Sequence, residues 1–318
     1  MHNRFYQIPL PKATNLNKMV HYSSCPICGS KDVEDFLKAK DYTVTGEIFP
    51  IQKCKNCTGA FTNDVPALPE IGAYYQSENY ISHSDTSKGL VNSLYHKVRN
   101  HTLHSKKRLV LNSTQKQSGH VLDIGCGTAA FLNTMKNAGW QITGVEPDAT
   151  AREKAHALYN ISPLPSEDLK TLPGQSFDAI TLWHVLEHVH DLHGYLHQIK
   201  TLLKPKGKIF IAVPNYTAFD ARHYHEYWAA YDVPRHLYHF SPKSIAVLMN
   251  MHQLNVVALK PMWFDSFYVS LLSEKYKTGR TNLLSACITG FFSNLKAGFN
   301  TQKCSSVIYI AGQEKSSA

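Results

Sequence analysis

Residues 121–132 (VLDIGCGTAAFL) constrain the fold of this chain more than any other stretch. Their apolar start predicts a buried strand. Gly125 and Gly127 then predict a tight turn, because glycine adopts positive φ and lets a ligand approach the backbone. Phe131 and Met135, spaced i and i+4, indicate that a helix follows at once. Such a strand-to-helix turn presents free amides to polar or anionic groups.

A second predicted strand, which ends in an acidic residue, strengthens this interpretation. Residues 141–146 (QITGVE) predict a strand ending at Glu146, roughly 20 residues beyond the glycines, where nucleotide-binding folds place a carboxylate on the ribose hydroxyls. A carboxylate suits a diol because it accepts two hydrogen bonds at once. The alternative is that Glu146 only precedes a helix, since Pro147 and Asp148 follow it and a helical pattern begins at Ala149.

The turn resembles the first motif of class I S-adenosylmethionine-dependent methyltransferases, with Asp123 near the strand end and Ala130 at the third glycine position of a dinucleotide fingerprint. The resemblance recurs at residues 177–188 (FDAITLWHVLEH) and 203–213 (LKPKGKIFIAV). It covers roughly residues 115–260, and its three motifs stand in the family's order and spacing.

This resemblance implies an α/β fold with a Rossmann-like, seven-stranded methyltransferase sheet. The alternation of strands and helices itself predicts a mainly parallel sheet. Residues 307–311 (VIYIA) predict a last strand, which in the family inserts antiparallel. The resemblance also implies S-adenosyl-L-methionine as cofactor. The expected cofactor-binding residues are Asp123, Gly125, Cys126, Gly127, Glu146, Pro147, Asp168, Trp183 and His184.

Two C-x-x-C units near the N-terminus predict a metal site. Cys25, Cys28, Cys54 and Cys57 can place four thiolates around one zinc ion, and residues 36–49 between the units can form a hairpin. Two disulfides or reactive thiols are the alternatives. A reducing cytoplasm disfavours disulfides. No ligand position is left open, so we expect a structural Zn²⁺.

These signals divide the chain into four parts. We expect an N-terminal tail over residues 1–20, a small zinc ribbon over 21–66, a helical linker or lid over 67–115 and the methyltransferase domain over 116–318.

One motif has a competing interpretation. His184, Glu187 and His188 match H-x-x-E-H, a zinc-protease signature in which two histidines share a metal. The motif directly follows a predicted strand of a parallel sheet, and similar methyltransferases often carry x-L-E-H there. We therefore favour the methyltransferase interpretation, which puts His184 at the ligand-binding edge of the sheet.

A histidine-rich stretch over residues 220–241 follows the fifth predicted strand and predicts a long functional loop. It resembles a loop of bacterial small-molecule methyltransferases, including sugar C-methyltransferases, although Tyr227 departs from their Y-H-E-H segment. Histidine is suited to proton transfer near neutral pH, and we expect catalysis without a metal. The expected base and pocket residues are His184, Tyr224, His225 and His236, with Tyr75 and Tyr80 closing the pocket.

Composition and charge limit the partners. The net charge is +9 and the pI about 9.0, but Lys and Arg are dispersed, with Lys106–Arg108 as the one tight run. Ordinary surface charge is a better explanation than a nucleic-acid track. No apolar stretch reaches the roughly 18 residues of a membrane span, and the first residues lack a signal-peptide core. We therefore expect a cytoplasmic enzyme with a small-molecule acceptor and no membrane partner.

A second class of function stays open. The zinc ribbon could guide methylation of a macromolecule, RNA or protein, which the basic pI favours and the dispersed charge does not. The sequence does not identify the methyl acceptor.

Overall fold

The structure is a computed structural model that describes residues 19–76 and 90–313. Most of the predicted N-terminal tail, and Tyr80, lie outside the described residues.

The N-terminal part is built from short antiparallel strands around the four cysteines. Val33 of the second strand is opposite Cys54 of the third, so these two strands form the hairpin predicted between the C-x-x-C units. Asp41 closes that hairpin, because its carboxylate accepts hydrogen bonds from the backbone amides of Thr43 and Thr45 at 2.9 Å each. The strands are β1 (Met19–Val20), β2 (Val33–Lys40), β3 (Ile48–Cys54), β4 (Ala60–Thr62) and β5 (Val65–Pro66).

A larger mixed sheet follows. Its strands are β6 (His120–Ile124), β7 (Gln141–Val145), β8 (Phe177–Trp183), β9 (Leu203–Pro214), β11 (Leu254–Pro261) and β12 (Ser306–Gln313). The short strand β10 (Tyr238–His239) instead joins β2, β3 and β4 in the N-terminal sheet. The spatial order is β11-β12-β9-β8-β6-β7. The β7, β6, β8 and β9 strands run parallel, whereas β12 is antiparallel to both of its neighbours. The α/β class and the antiparallel last strand are therefore confirmed.

The expected seventh strand is not a strand in the described part of the chain. Leu164 makes one parallel bridge to Val145 beyond β7. Its amide donates to the Gly144 carbonyl at 2.8 Å, and its carbonyl accepts from the Glu146 amide at 2.9 Å. The two flanking residues are prolines, which have no N–H to extend a ladder. The sheet therefore has six strands there.

Helices cover both faces of this sheet. Alternate strand residues enter two separate buried clusters, with Leu122 in one and Val121 in the other. The helices are α1 (Leu90–Thr114), α2 (Ala130–Lys136), α3 (Ala149–Tyr159), α4 (Leu192–Leu202), α5 (Phe219–Tyr224), α6 (Pro242–Met251), α7 (Asp265–Thr278) and α8 (Leu283–Phe299). The first cluster takes apolar residues of α4 and α6, and the second those of α1, α2 and α3.

Local sequence signals set the helix starts. Ser241 accepts a hydrogen bond from the Ser244 amide at 3.0 Å and Pro242 is the first residue of α6, an arrangement that is typical of helix N-termini. In α3, the Asp148 side chain accepts from the Ala151 amide at 3.0 Å.

The N-terminal sheet is completed by a strand from the C-terminal part of the chain. Tyr238 of β10 pairs with Phe61 of β4, antiparallel. The Thr62 hydroxyl donates to the carbonyl of His236 at 2.7 Å, and the Thr58 hydroxyl lies 2.8 Å from the Ser241 hydroxyl. The cysteine-bearing sheet and the larger domain therefore share backbone hydrogen bonds.

The described residues include no helix long and apolar enough to cross a membrane.

Candidate functional site

The glycine turn has the geometry that its sequence predicts. Gly125 and Gly127 follow β6 with φ of +68° and +53°. A Cβ on Gly125 would lie 2.5 Å from the Cγ2 of Val185, so the turn has no room for a side chain there. A Cβ on Gly127 would meet no atom within 4 Å. The backbone at Gly127 is therefore open to a ligand.

Glu146 lies beside this turn at the end of β7. One carboxylate oxygen accepts a hydrogen bond from the Gly127 amide at 2.8 Å, and the other accepts from the Asp148 amide at 3.0 Å. Burial raises the pKa of Glu146, while these two amides oppose the rise. Each oxygen keeps a further lone pair, so the carboxylate can still accept from two hydroxyls.

Asp123 is the buried acid under the turn. The Thr181 hydroxyl of β8 donates to its carboxylate at 2.5 Å. Burial raises the pKa of Asp123 to about 7, against the hydrogen bond from Thr181 and the charge of Lys106.

Lys106 of α1 is a site residue that the sequence analysis did not identify. Its ammonium nitrogen lies 4.3 Å from the centroid of the Trp183 ring, which also contacts Phe131 edge-on at 5.5 Å between centroids. Burial lowers the pKa of Lys106, against the opposing charges of Asp123 and Asp265. The buried Trp183 indole N–H has no hydrogen-bond partner in the described residues. A cation and an unpaired donor thus meet at the end of β8 and can bind an anionic or polar ligand group.

The remaining predicted cofactor residues lie around the same edge. Cys126 is in the turn, and burial raises the pKa of its thiol, so it is not a ready thiolate. Pro147 follows Glu146, and its carbonyl accepts from Arg152 at 2.8 Å. Asp168 is half-buried in the short 3₁₀ helix Ser166–Thr171, just after the Leu164 bridge.

His184 is held between two carboxylates. It follows β8 with φ of +58°, its Nε2 lies 3.0 Å from Asp265 and its Nδ1 3.3 Å from Glu187. Burial alone would lower the pKa of His184, but the hydrogen bond to Asp265 and the ion pair with Glu187 outweigh it and raise the pKa to about 10. The imidazole is therefore protonated at neutral pH, which disfavours the predicted role as a base.

Glu187, His188 and His236 form a second cluster next to His184. One ligand atom of each lies within 4.8 Å of the other two. The His188 Nδ1 lies 3.0 Å from the Arg235 carbonyl, and the His236 Nδ1 lies 2.8 Å from the Ala230 carbonyl. Because each Nδ1–H can donate to a carbonyl, each Nε2 keeps its lone pair. The cluster can therefore accept a proton or hold a cation.

The chemistry of this cluster depends on burial. Burial lowers the pKa of His188 to about 4, assisted by the neighbouring His236, so His188 is neutral near pH 7. The Tyr75 hydroxyl lies 3.0 Å from the Nδ1 of His188. Tyr75 thus contacts His188, and its role in closing the pocket stays a prediction. The H-x-x-E-H pattern had singled out His188, which the sequence analysis did not include among the expected base and pocket residues.

Tyr224 and His225 lie elsewhere. The buried Tyr224 hydroxyl donates to Glu274 of α7 at 3.1 Å, and burial raises the pKa of Tyr224 to about 12. His225 is exposed, with φ of +50°, and lines a surface cavity of about 370 Å³ with Phe36 and Lys53. That cavity shares no lining residue with the His188 cluster.

The four N-terminal cysteines have the spacing of a metal site. The sulfurs of Cys25 and Cys57 are 3.7 Å apart, and those of Cys28 and Cys54 are 3.6 Å apart. Thiolates about 2.3 Å from a tetrahedral zinc stand about 3.8 Å from one another. A disulfide needs about 2.05 Å. The spacing fits zinc and excludes disulfides in this structure.

Comparison with known proteins shows the family of this chain. Residues 95–259 match the family model described as a methyltransferase domain. This match covers more than half of the 318 residues. The chain therefore belongs to this methyltransferase family, and the resemblance drawn from the glycine turn is confirmed.

The curated relatives include ubiquinone biosynthesis O-methyltransferases. That of Xanthomonas axonopodis pv. citri (strain 306) is 34% identical over 106 residues, 30% of this chain and 44% of the relative. That of Xanthomonas oryzae pv. oryzae (strain PXO99A) is 29% identical over 160 residues, 46% of this chain and 66% of the relative. The chain thus spans between 44% and 66% of these relatives.

Solved structures of similar fold include two methyltransferases. A SAM-dependent methyltransferase from Archaeoglobus fulgidus has 18% identity and a TM-score of 0.46, covering 70% of this chain and 99% of that one. Magnesium protoporphyrin IX methyltransferase from Synechocystis PCC 6803, with bound SAH, has 13% identity and a TM-score of 0.48, covering 76% and 97%. These likenesses concern the fold alone.

Proposed function

We propose that this chain is an S-adenosylmethionine-dependent methyltransferase of a small molecule with a hydroxyl acceptor. The observation that carries the proposal is the turn at Gly127, whose amide is joined to the Glu146 carboxylate at 2.8 Å and whose outer side is open. Family membership and the O-methyltransferase names of the curated relatives support it.

The cofactor would lie along the ends of β6, β7 and β8. Glu146 suits the ribose hydroxyls, because a carboxylate accepts both. The ammonium of Lys106 contacts the Trp183 ring at the end of β8. This cation suits the carboxylate of the cofactor. Bound S-adenosylmethionine would supply an electrophilic methyl group, and the chain's task is then to align the acceptor and take its proton.

The base comes from the cluster of His188 and His236. Each ring has Nδ1 beside a backbone carbonyl, and the ring centroids are 4.5 Å apart. A free Nε2 of this cluster would accept the proton that the acceptor hydroxyl gives up on methylation. The protonated His184 and the buried Glu187 hold this edge in place. Of the expected catalytic residues, this assignment keeps His236 as base, and leaves Tyr224 and His225 without a chemical step.

The four cysteines hold one structural zinc ion in this proposal. Their spacing leaves no open coordination position for a substrate. A cytoplasmic location, which keeps thiols reduced, suits this site.

Transfer of labelled methyl from S-adenosylmethionine to a panel of phenols, catechols and nucleotide sugars tests the function. A positioned base typically contributes about 10²–10⁴ in rate. We expect His188→Ala or His236→Ala to lose that factor while keeping cofactor affinity, whereas the matched His225→Ala keeps its rate. Transfer to RNA or protein but to no small molecule would favour the macromolecular alternative. Equal loss in His225→Ala would overturn the base assignment.

A further inference from the structure

The C-terminal helix pair α7 and α8 has an unusual surface. Seven large apolar side chains of α8 are exposed, with Leu284 at 73%, Phe291 at 57% and Phe299 at 88%. Trp263, just before α7, and Tyr268, within α7, are also exposed. We call the exposed apolar side chains of α8 the outer face. They are Leu283, Leu284, Ile288, Phe291, Phe292, Leu295 and Phe299.

The opposite side of α8 carries small residues. The positions that α8 buries are Ala286, Thr289, Gly290, Ser293 and Ala297, and α7 buries three serines and one acid, Ser266, Ser270, Ser273 and Glu274. The two helices approach closely, because a Cβ on Gly290 would lie 3.1 Å from the Cα of Phe267. The Ser266 hydroxyl also donates to the Gly290 carbonyl at 3.3 Å.

This arrangement is the reverse of a water-exposed amphipathic helix. Such a helix buries its large apolar residues and exposes its polar ones. Helices in contact with lipid pack through small residues and turn large apolar side chains outward. An apolar face of this size on a folded chain marks a contact surface. The environment of the outer face is therefore expected to be apolar.

The charged residues in the segment that contains α8 are all basic, whereas the acids that contact α8, Glu274 and Asp220, are buried. Residues 275–303 contain five Lys or Arg and no Asp or Glu. Lys275, Lys277, Arg280, Lys296 and Lys303 are all exposed. The Lys296 ammonium lies 4.1 Å from the centroid of the Phe219 ring, at the edge of the apolar residues. Basic residues bordering exposed Phe and Leu are typical of helices that lie in the interface of an anionic bilayer.

We propose that the outer face of α8 binds the surface of an anionic lipid bilayer, with the helix lying along the interface. The 17-residue α8 is not a span, since no helix among the described residues can cross a membrane. In a dimer formed through this face, the five cations of one copy would face the five cations of the other and repel them. A nucleic acid would match the charge but not the exposed Leu and Phe. This proposal departs from the expectation of no membrane partner, which rested on span length, and is independent of the proposed activity.

Flotation of the full chain with vesicles tests it. We expect the chain to float with vesicles of phosphatidylcholine and phosphatidylglycerol at about 3:1, and far less with phosphatidylcholine alone. The triple variant Leu284→Ser, Phe291→Ser, Leu295→Ser should bind at least about tenfold more weakly, because apolar burial contributes strongly at the interface. The matched control Leu158→Ser changes a side chain on α3 that is 53% exposed, and should bind as the unchanged chain does.

Charge-reversal variants distinguish attraction to the anionic lipid headgroups from nonspecific apolar adsorption. Lys296→Glu should weaken binding to the anionic vesicles, and Lys154→Glu on α3 should not. Circular dichroism and cofactor titration confirm that each variant is folded. The proposal is overturned if the unchanged chain stays in the aqueous fraction, or if the triple variant floats equally well. Light scattering that shows a dimer, dissociated by the triple variant and without flotation, would assign the face to a second copy instead.

Discussion

Arg235 and Asp41 form an ion pair whose side chains have no exposed surface, with the Nη2 of Arg235 2.9 Å from the Oδ1 of Asp41. The same guanidinium donates to Asp232 at 2.7 Å and to the Tyr74 carbonyl at 2.8 Å. Arg235 directly precedes His236. The pair therefore fastens the loop of the proposed base to the hairpin between β2 and β3.

Loss of Arg235 should be costly for stability. Arg235→Ala leaves Asp41 buried without its cation, and breaking such a pair typically costs about 3–5 kcal/mol. Urea unfolding followed by circular dichroism measures this loss. Arg222→Ala, which removes an exposed arginine of α5, is the control and should change little. Equal losses in the two variants would contradict the role given to the pair.

Cofactor affinity should depend on Glu146. Removing one charge-assisted contact costs about 1.5–3 kcal/mol, so Glu146→Ala should weaken S-adenosylmethionine binding about tenfold or more in calorimetric titration. Glu153→Ala on α3 is the matched control, because Glu153 is exposed. NAD should not compete. Unchanged affinity in Glu146→Ala would remove the ribose assignment.

Zinc should be present at one ion per chain. Elemental analysis of the purified protein measures it, and the double variant Cys54→Ser, Cys57→Ser should lose the metal and unfold the N-terminal sheet, since small zinc folds depend on their ion. Cys287→Ser changes an exposed cysteine outside the cluster and should keep both. A metal-free protein with that sheet intact would refute the site.

His184 should make stability depend on pH in the alkaline range. Its pKa is about 6.5 when unfolded and about 10 when folded. The stabilisation is therefore complete below about pH 6.5 and is lost as pH rises toward 10. We expect the difference in unfolding free energy between the unchanged chain and His184→Gln to shrink over that range. A constant difference for His184→Gln would contradict the ion pairs.

Local patterns predicted most of the sheet and the turn. The glycine turn, Glu146 and the four cysteines could be singled out from the sequence because each carries its signal within a few residues, and their roles stay predictions. The seventh strand was not confirmed in the described residues, because Pro163 and Pro165 limit Leu164 to a single bridge. The expectation of seven strands came from the family resemblance, which does not reveal such a local interruption.

Long-range contacts were not predictable in this way. Lys106 reaches Trp183 from a helix that precedes the first parallel strand, and sequence alone showed only a short basic run. The sequence analysis expected His184 to be a base. It could not show the partner Asp265, which lies 81 positions away in the sequence. The separation of Tyr224 from His236 depends on how α5 packs against α7, which no local spacing encodes.

The pairing of β10 with β4 makes the cysteine-bearing sheet and the methyltransferase domain inseparable in practice. Thr58, the residue after Cys57, accepts a hydrogen bond from the Tyr216 hydroxyl at 2.5 Å through its carbonyl, and Phe61 pairs with Tyr238. A chain shortened to residues 116–318 would leave β10 as an unpaired edge and free the loop that carries His236. Loss of the proposed zinc ion would therefore loosen β4 and, through its pairing with β10, the loop that carries His236.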